Sequence, residues 1–128
     1  MKKILLVDDS PTVVSAAYDE LEEMGYVVDV AYDGKESIKR LEQNPEELPH
    51  LIVMDIEMPK MRGDEAAQLI KQNPAWNHIP IVALTARAPD TIGDFLAYFD
   101  NYLVKPFGFN ELLDLVQRMI GAPEGGEA

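Results

Sequence analysis

Short apolar runs alternate with longer segments whose apolar residues recur at helical spacing, and this alternation repeats five times along the chain. The apolar runs are rich in branched aliphatic side chains and end at polar or turn-forming residues, as buried strands do. They cover residues 4–7, 26–31, 51–54, 79–84 and 102–104. The intervening segments predict helices over residues 11–24, 34–43, 89–98 and 109–120, and a further helix after the loop that ends at Gly63, carrying Ala66, Ala67, Leu69 and Ile70.

Cap and turn residues mark the boundaries of these elements. Ser10 and Pro11 follow the first apolar run; serine is a favoured helix N-cap, and proline is favoured at the first helical position. Gly25 is placed to end that helix, because glycine adopts the left-handed conformation of a helix C-cap at low cost. The core face of the first helix is predicted to comprise Val14, Ala17, Leu21 and Met24.

Strict alternation of strands and helices, with nearly continuous apolar strands, predicts a parallel sheet covered by helices on both faces. This is a doubly wound α/β fold. A length of 128 residues fits one domain. We expect that domain to span residues 1–121, and residues 122–128, which combine Gly, Pro and Glu, to form a flexible tail or the start of a linker.

Residues suited to chemistry follow four of the five predicted strands. Asp8 and Asp9 follow the first strand, Asp55 the third, Thr85 the fourth and Lys105 the fifth. In open α/β sheets, ligands bind outside the carboxyl ends of the strands. We therefore expect three carboxylates, a hydroxyl and an ammonium group to converge at one edge of the sheet.

Three carboxylates in one place repel one another, by roughly 4 kcal/mol for two of them at 4 Å and an effective dielectric constant of 20. Lys105 supplies one positive charge, which leaves a sum of −2 with Asp8, Asp9 and Asp55. Oxygen-only ligands favour Mg²⁺ or Mn²⁺ over zinc or copper. The pattern predicts a Mg²⁺ site; helix capping, the alternative interpretation, accounts for one acid and not for two.

Such a site suits phosphoryl transfer. Mg²⁺ held by few carboxylates keeps positions for phosphate oxygens, and a neighbouring carboxylate can attack phosphorus to form an aspartyl phosphate. Thr85 is placed to donate a hydrogen bond to one phosphoryl oxygen, and Lys105 to pair with another. Backbone N–H groups after Asp55 and Thr85 complete the predicted cradle.

The composition narrows the class of protein. The chain has 23 acidic and 11 basic residues and a net charge of −12, which argues against binding nucleic acid through a basic face. It contains no Cys, which excludes a disulfide scaffold and thiol chemistry. No apolar run is long enough for a membrane span and the start does not resemble a signal peptide, so we expect no membrane association and a cytoplasmic protein.

Four stretches of the chain together resemble the receiver domain of two-component response regulators. They are ILLVDD at 4–9, LIVMDIEMP at 51–59 with Gly63, IVALTA at 81–86 and YLVKPF at 102–107. The resemblance implies a flavodoxin-like, CheY-like fold with a five-stranded sheet of order 2-1-3-4-5 and five helices. It also implies that Asp55 accepts a phosphoryl group from a histidine kinase or histidine phosphotransfer protein, and that the domain then switches conformation to control an output protein or domain. A receiver catalyses only its own phosphorylation and dephosphorylation, so it is not a conventional enzyme.

The resemblance further assigns metal ligands. Asp9, Asp55 and the backbone carbonyl of Glu57 are expected to bind Mg²⁺ directly, while Asp8 acts largely through water. The positions of Glu57 and Arg87 flank the phosphoryl group in the family and tune its hydrolysis. A salt bridge between these two side chains is a hypothesis.

Thr85 and Tyr102 resemble the switch pair of the family, in which the hydroxyl moves toward the phosphoryl group and the aromatic ring turns inward. The bond between Lys105 and Pro106 is expected to be cis, which costs little before proline. One stretch departs from the family pattern: the segment between Thr85 and Lys105 is about two residues shorter than usual, with aromatic residues at 98 and 99 in place of a small pair. The fourth expected helix is the element that this departure affects.

Two surfaces are predicted to bind partners. Val13 and Ala16 are apolar but lie off the core face of the first helix, and together with Thr12 they predict a docking seam beside the site. In the family this seam meets the helical bundle of the kinase. Aromatic residues are concentrated near the fifth strand, and Tyr98, Tyr102 and Phe107 are predicted on the face that contacts the output partner.

Three alternative functions fit the residues less well. A Mg²⁺-dependent phosphohydrolase of the haloacid dehalogenase kind has an Asp-x-Asp pattern at its nucleophile, whereas this chain has Asp55-x-Glu57. A flavodoxin-like cofactor carrier would place a flavin phosphate against Asp8 and Asp9, which would repel it. A receiver-like module that binds partners without phosphorylation has no need of the complete set of site residues found here.

Overall fold

Five strands and four helices form the fold in the computed structural model, which describes residues 1–86 and 97–123. The strands are β1 (Lys3–Val7), β2 (Val27–Ala31), β3 (Leu51–Asp55), β4 (Ile81–Thr85) and β5 (Asn101–Val104). The helices are α1 (Pro11–Met24), α2 (Gly34–Gln43), α3 (Gly63–Gln72) and α4 (Phe109–Ile120).

All five strands are parallel and lie in the order β2-β1-β3-β4-β5. The predicted sheet and its strand order are therefore confirmed. β3 and β4 have every residue buried, while β2 and β5 form the edges and are more exposed. The order reverses direction between β1 and β3, which is where ligands bind in folds of this type.

Helices cover both faces of the sheet, as a doubly wound fold requires. On one face, Leu21 of α1 and Leu115 of α4 pack against Ile4 and its neighbours. On the other face, Leu41 of α2 and Ile70 of α3 pack against the oppositely directed side chains of the same strands. The alternation of side chains along a strand supplies both layers from one apolar run.

The cap residues of α1 act as predicted. The Ser10 side chain accepts a hydrogen bond from the Val13 N–H, and Pro11 is the first helical residue. Gly25 is the C-cap and has φ 109°, a left-handed conformation that other residues adopt only with strain. Met24 is a correction: it is 38% exposed rather than part of the core, because it is the last residue of a helix whose buried face ends at Leu21.

Some predictions fall on the part of the chain that the structure does not describe. The predicted helix over 89–98 lies almost wholly there, as do Arg87 and residues 124–128 of the predicted tail. Within the described residues four of the five expected helices are present. None of the helices in residues 1–86 and 97–123 is both long and apolar enough to cross a membrane.

Candidate functional site

The carboxylates of Asp8, Asp9 and Asp55 meet at the carboxyl edge of the sheet. One oxygen from each lies within 4.8 Å of the other two. Asp8 follows β1 and Asp55 ends β3, and because these strands are neighbours in the buried centre of the sheet, core packing fixes both positions. Asp8 is fully buried and Asp55 is 6% exposed, whereas Asp9 is open to solvent.

Lys105 joins two of these carboxylates. Its Nζ lies 3.1 Å from Asp8 Oδ2 and 3.4 Å from Asp55 Oδ2. The other oxygen of Asp8, Oδ1, accepts the Ser10 N–H at 2.9 Å. Asp8 is thus held on both sides, and one ammonium group offsets part of the charge of three acids.

The electrostatics of the site raise the pKa of Asp55 to about 6, since burial disfavours the charged carboxylate and Asp8 repels it, while Lys105 partly opposes both effects. For Lys105, burial lowers the pKa, but Asp55 and Asp8 together raise it more, so the pKa lies above its usual value. At neutral pH the site therefore holds ionised Asp55 beside charged Lys105, with an excess of negative charge.

Gly63 brings the start of α3 against the backbone of Asp55. Its N–H donates to Ile56 O at 2.7 Å, and a Cβ at position 63 would lie only 2.0 Å from Asp55 O. No residue with a side chain fits there without moving the backbone. This contact closes the loop after β3 and sets the direction in which the chain leaves Asp55.

Thr85 and Lys105 reach the site from β4 and β5. Thr85 ends β4 and is 3% exposed, one strand away from Asp55. The Lys105 N–H donates to Thr85 O at 2.7 Å, which ties the segment after β5 to the end of β4. The peptide bond between Lys105 and Pro106 is cis.

The donor set fits Mg²⁺. A Mg²⁺ ion binds oxygen ligands at about 2.1 Å, so two oxygens on one ion lie roughly 3 to 4 Å apart. The carboxylate oxygens of Asp8, Asp9 and Asp55, all within 4.8 Å of one another, need only a small contraction to reach those distances. Hard oxygen donors with an excess of negative charge are the ligands that this cation prefers.

A family model, the response regulator receiver domain, matches residues 4–117 of the chain. The chain belongs to this family. Receiver domains of two-component response regulators are signalling domains that interact with histidine kinases and output domains and bind Mg²⁺ at an acidic site. The functional class expected from the sequence is therefore confirmed.

Similar proteins and structures agree with this assignment. The response regulator ArlR of Staphylococcus saprophyticus is 34% identical over 94% of this chain and 53% of its own length, so the receiver spans about half of that relative. Chemotaxis response regulator CheY4 of Vibrio cholerae is 30% identical, with a TM-score of 0.85 over 93% of this chain and 98% of its own. Response regulator TrrA of Thermotoga maritima, solved in complex with Mg²⁺-BeF, is 34% identical, with a TM-score of 0.82 over 93% of this chain and 99% of its own.

An apolar groove of about 610 Å³ lies beside the site of the receiver. Thr12, Val13 and Ala16 of α1 form one wall, and Phe107 lies on the other side, next to Lys105. The structure thus brings together the predicted seam residues of α1 with one of the three aromatic residues predicted for the output face. Pro106 and Phe109 complete the lining.

The remaining predicted residues lie apart from this groove. Tyr98 is half-buried and packs against the core layer that contains Trp76, on the side of α2 and α3. Tyr102 lies on β5 and is 36% exposed. Glu57, two residues beyond Asp55, has an exposed side chain.

Two site residues had functions that the sequence reasoning missed. Ser10 was predicted only as a helix cap, but its backbone N–H also holds Asp8. The spacing Asp8-x-Ser10 is that of an Asx turn, which was the available signal. Gly63 was part of the resemblance, but no local pattern shows that its Cα lies against Asp55, because this contact depends on the packing of α3.

Proposed function

We propose that Asp55 accepts a phosphoryl group from a histidine kinase or a histidine phosphotransfer protein, and that this modification switches the receiver between two conformations. The observation that carries the proposal is the placement of Asp55: nearly buried, beside two further carboxylates, and 3.4 Å from the Lys105 ammonium. Without a ligand, the excess negative charge of these carboxylates is electrostatically unfavourable. A bound metal ion would offset that charge, which supports a metal and phosphoryl site.

In the proposed transfer, one carboxylate oxygen of Asp55 forms a bond to phosphorus while the bond from phosphorus to the donor's imidazole nitrogen breaks. The electron pair of that bond leaves with the nitrogen, so no further reactant is needed. Lys105 pairs with one phosphoryl oxygen and the Thr85 hydroxyl donates to another, which neutralises and orients the group in flight. During the transfer, the Lys105 ammonium exchanges its contact with Asp55 for a contact with a phosphoryl oxygen, which carries more negative charge.

Asp9, Asp55 and the Glu57 carbonyl would hold Mg²⁺, with Asp8 acting through water. Bound there, the ion would neutralise charge on the phosphoryl oxygens and on the carboxylates. The Asp8 carboxylate is already held by Ser10 and Lys105, so it would bind a water molecule on the ion without having to move. Mn²⁺ has similar ligand preferences and is expected to substitute.

Thr85 and Tyr102 are proposed to transmit the switch. The added charge at Asp55 draws the Thr85 hydroxyl toward it, and the partly exposed Tyr102 ring turns inward. Glu57 and Arg87 are proposed to tune hydrolysis, because they follow Asp55 and Thr85 by two residues each. We place the protein in the cytoplasm, where histidine kinases of two-component systems present their phosphoryl donors.

The apolar groove is proposed as the docking surface for the kinase or phosphotransfer protein. It is lined by Thr12, Val13 and Ala16 of α1 and by Phe107, and Lys105, which contacts Asp55, is part of the same lining. A helix seated there would place a phosphohistidine next to Asp55. Tyr98 is proposed to contact the output partner from the other face of the sheet.

The deciding experiment is intact-mass analysis after incubation with acetyl phosphate and Mg²⁺. The wild-type chain should gain the mass of one phosphoryl group, and Asp55→Asn should gain none. Asp33→Asn is a matched control, because Asp33 is also a mostly buried acid at a helix N-cap and asparagine caps equally well. An unmodified wild-type protein that releases no phosphate would favour the module that acts without phosphorylation. Rapid release of phosphate over many turnovers, with too little aspartyl phosphate to detect, would favour the phosphohydrolase.

A further inference from the structure

The register of β5 on β4 is weakly specified by hydrophobic packing. β5 is an edge strand whose residues are exposed except for Leu103, which is half-buried. The two-residue side-chain period fixes register firmly only where one face of a strand is well buried. Yet β5 delivers Lys105, whose ammonium must lie within about 3.4 Å of Asp55.

Hydrogen bonds from Asp100 and Lys71, which we call the polar clamp, hold the start of β5 in register with β4. The Asp100 N–H donates to Ile81 O at 2.8 Å, and Asp100 Oδ2 accepts the Ile81 N–H at 2.8 Å. Lys71 of α3 donates from Nζ to the same Asp100 oxygen at 2.9 Å and to Ile79 O at 2.9 Å. Ile79 and Ile81 are fully buried, so these hydrogen bonds attach the start of β5 to residues that core packing holds in place.

We infer that Asp100 and Lys71 are positioning residues for Lys105, acting through the register of β5 on β4. A shift by two residues, the smallest that keeps each side chain on its face, would displace Lys105 by about 6.6 Å. That displacement would remove its contacts with both Asp8 and Asp55. The inference rests on the proposed function only in that Lys105 is taken to act on the phosphoryl group.

The hydrogen bonds from Lys71 and Asp100 to the backbone, rather than the ion pair between the two side chains, hold the register of β5. The side chains of Lys71 and Asp100 are 21% and 42% exposed, and ion pairs at that exposure contribute little by themselves. What distinguishes them is that both also bind backbone: Asp100 binds Ile81, the first residue of β4, and Lys71 binds Ile79, two residues before it. At the other edge of the sheet, Asp29 and Arg40 form a comparable pair at 3.4 Å between β2 and α2, but the Asp29 carboxylate accepts the Val30 N–H of its own strand.

Asp29 and Arg40 therefore provide a matched control. The test compares Asp100→Leu, Asp100→Asn and Lys71→Met with Arg40→Met, measuring the rate of phosphorylation by saturating acetyl phosphate and the affinity for Mg²⁺ by calorimetry. Asp100→Leu and Lys71→Met should lower the rate by about tenfold, since ångström-scale misplacement of a catalytic group has effects of that order or larger. Asp100→Asn keeps an acceptor for Ile81 and should lower it less. Mg²⁺ affinity should not fall in these variants, because its expected ligands are carried by β1 and β3, and it should rise to the extent that Lys105 moves away from Asp8 and Asp55.

Hydrogen exchange at the Lys105 amide gives a readout that needs no phosphorylation. This amide donates to Thr85 O, so its protection should fall by about tenfold in Asp100→Leu and Lys71→Met, and not in Arg40→Met. If wild type is not phosphorylated at all, the proposed function fails and the exchange result alone decides this inference. Unchanged exchange in Asp100→Leu, an equal effect of Arg40→Met, or a parallel loss of Mg²⁺ affinity would each overturn it.

Discussion

The site has an acidic half and a cationic half that are held in different ways. Asp8 follows the central strand β1 and Asp55 ends the central strand β3, and the apolar residues that precede them are buried on both faces of the sheet. Lys105 follows β5, an edge strand that is mostly exposed. The acidic half is therefore fixed by close packing of the core, while the cationic half depends on polar contacts such as those of Asp100.

This difference has a consequence for binding. A metal site assembled on central strands needs little rearrangement when the ion binds, since the strands that carry its ligands are the most stable part of such a sheet. In the proposed function, the cationic half acts on the phosphoryl group, which arrives after the ion and changes position during transfer. Because Lys105 follows an edge strand, β5 can shift on phosphorylation without moving the acids on the central strands. Single substitutions can separate the two halves, and the largest effect is expected at Gly63.

Gly63→Ala is expected to disrupt the acidic half and the fold with it. The new Cβ would lie 2.0 Å from Asp55 O, and both atoms belong to packed backbone that cannot yield by a rotamer change. We expect a loss of more than about 3 kcal/mol in the free energy of unfolding, measured by chemical denaturation.

Gly108→Ala is the matched control for that prediction. A Cβ at Gly108 would meet only the flexible end of Glu111, at 3.7 Å, and the backbone there has an ordinary φ of −82°. Its effect on stability should be small. Equal stability of the two alanine variants would show that the backbone of Asp55 is not held as rigidly as the packing indicates.

Lys105→Met should remove the cationic half and leave the acidic half in place. Phosphorylation should slow by roughly 100-fold, because the substitution deletes an ammonium group aimed at the charge of the transferred group. Mg²⁺ affinity should rise, since Lys105 no longer offsets Asp8 and Asp55 at 3.1 and 3.4 Å. Acetyl phosphate kinetics and calorimetry measure the two quantities.

Lys60→Met is the comparison for charge alone. Lys60 lies in the loop after β3, and its Nζ is 3.8 Å from Asp33 rather than from the site acids. It should change both quantities much less than Lys105→Met. If Lys105→Met lowered Mg²⁺ affinity and rate together, the two halves would not be separable in the way proposed.

The acidic half could be predicted from sequence and much of the cationic half could not. Apolar runs of four residues locate central strands reliably, and the residues after parallel strands lie at one edge of the sheet, so Asp8 and Asp55 were expected to meet. The fourth strand was less well bounded: it begins at Ile81, two residues after the predicted start, because Pro80 has no N–H for the ladder. Met24 fitted the helical period but is exposed, since the period does not show where the core ends.

Contacts between distant residues leave no local pattern. Lys71 and Asp100 are 29 positions apart, and each alone is an ordinary charged residue. The close approach of Gly63 to Asp55 depends on how α3 packs, and its glycine was visible only through the family resemblance. Tyr98 is a further example, because its packing against the core layer that contains Trp76 has no local signal in the sequence, while its contact with an output partner stays a prediction.

Asp55→Asn tests the electrostatic cost of the acidic half. The folded-state pKa of Asp55, about 6, lies above the ordinary aspartate value of 3.8, so the folded protein keeps a proton that the unfolded chain releases. The stability that goes with this proton is complete below about pH 4 and is lost as the pH rises through 6. Asparagine is neutral at every pH, so the variant should be more stable than wild type by about 3 kcal/mol at pH 8 and by only about 0.5 kcal/mol at pH 4.

Denaturation with a chelator present measures this difference, and added Mg²⁺ supplies its control. The ion offsets the same repulsion in wild type, so the gap at pH 8 should narrow when it is added. A gap that is equally large at pH 4 would have to arise from packing instead of charge, and would refute the account given for the pKa of Asp55.

Ser10→Ala should have the smallest effect and separates two functions of one residue. The side chain caps α1 through a hydrogen bond of 3.4 Å from the Val13 N–H, a long bond whose loss should cost about 0.5 to 1 kcal/mol of stability. The contact that holds Asp8 comes from the Ser10 backbone N–H, which alanine retains. Mg²⁺ affinity and phosphorylation should therefore stay at the wild-type level, and Ser10→Thr, which keeps the cap, should restore stability. A fall in Mg²⁺ affinity in Ser10→Ala but not in Ser10→Thr would instead tie the acidic half to the helix cap as well as to the core strands.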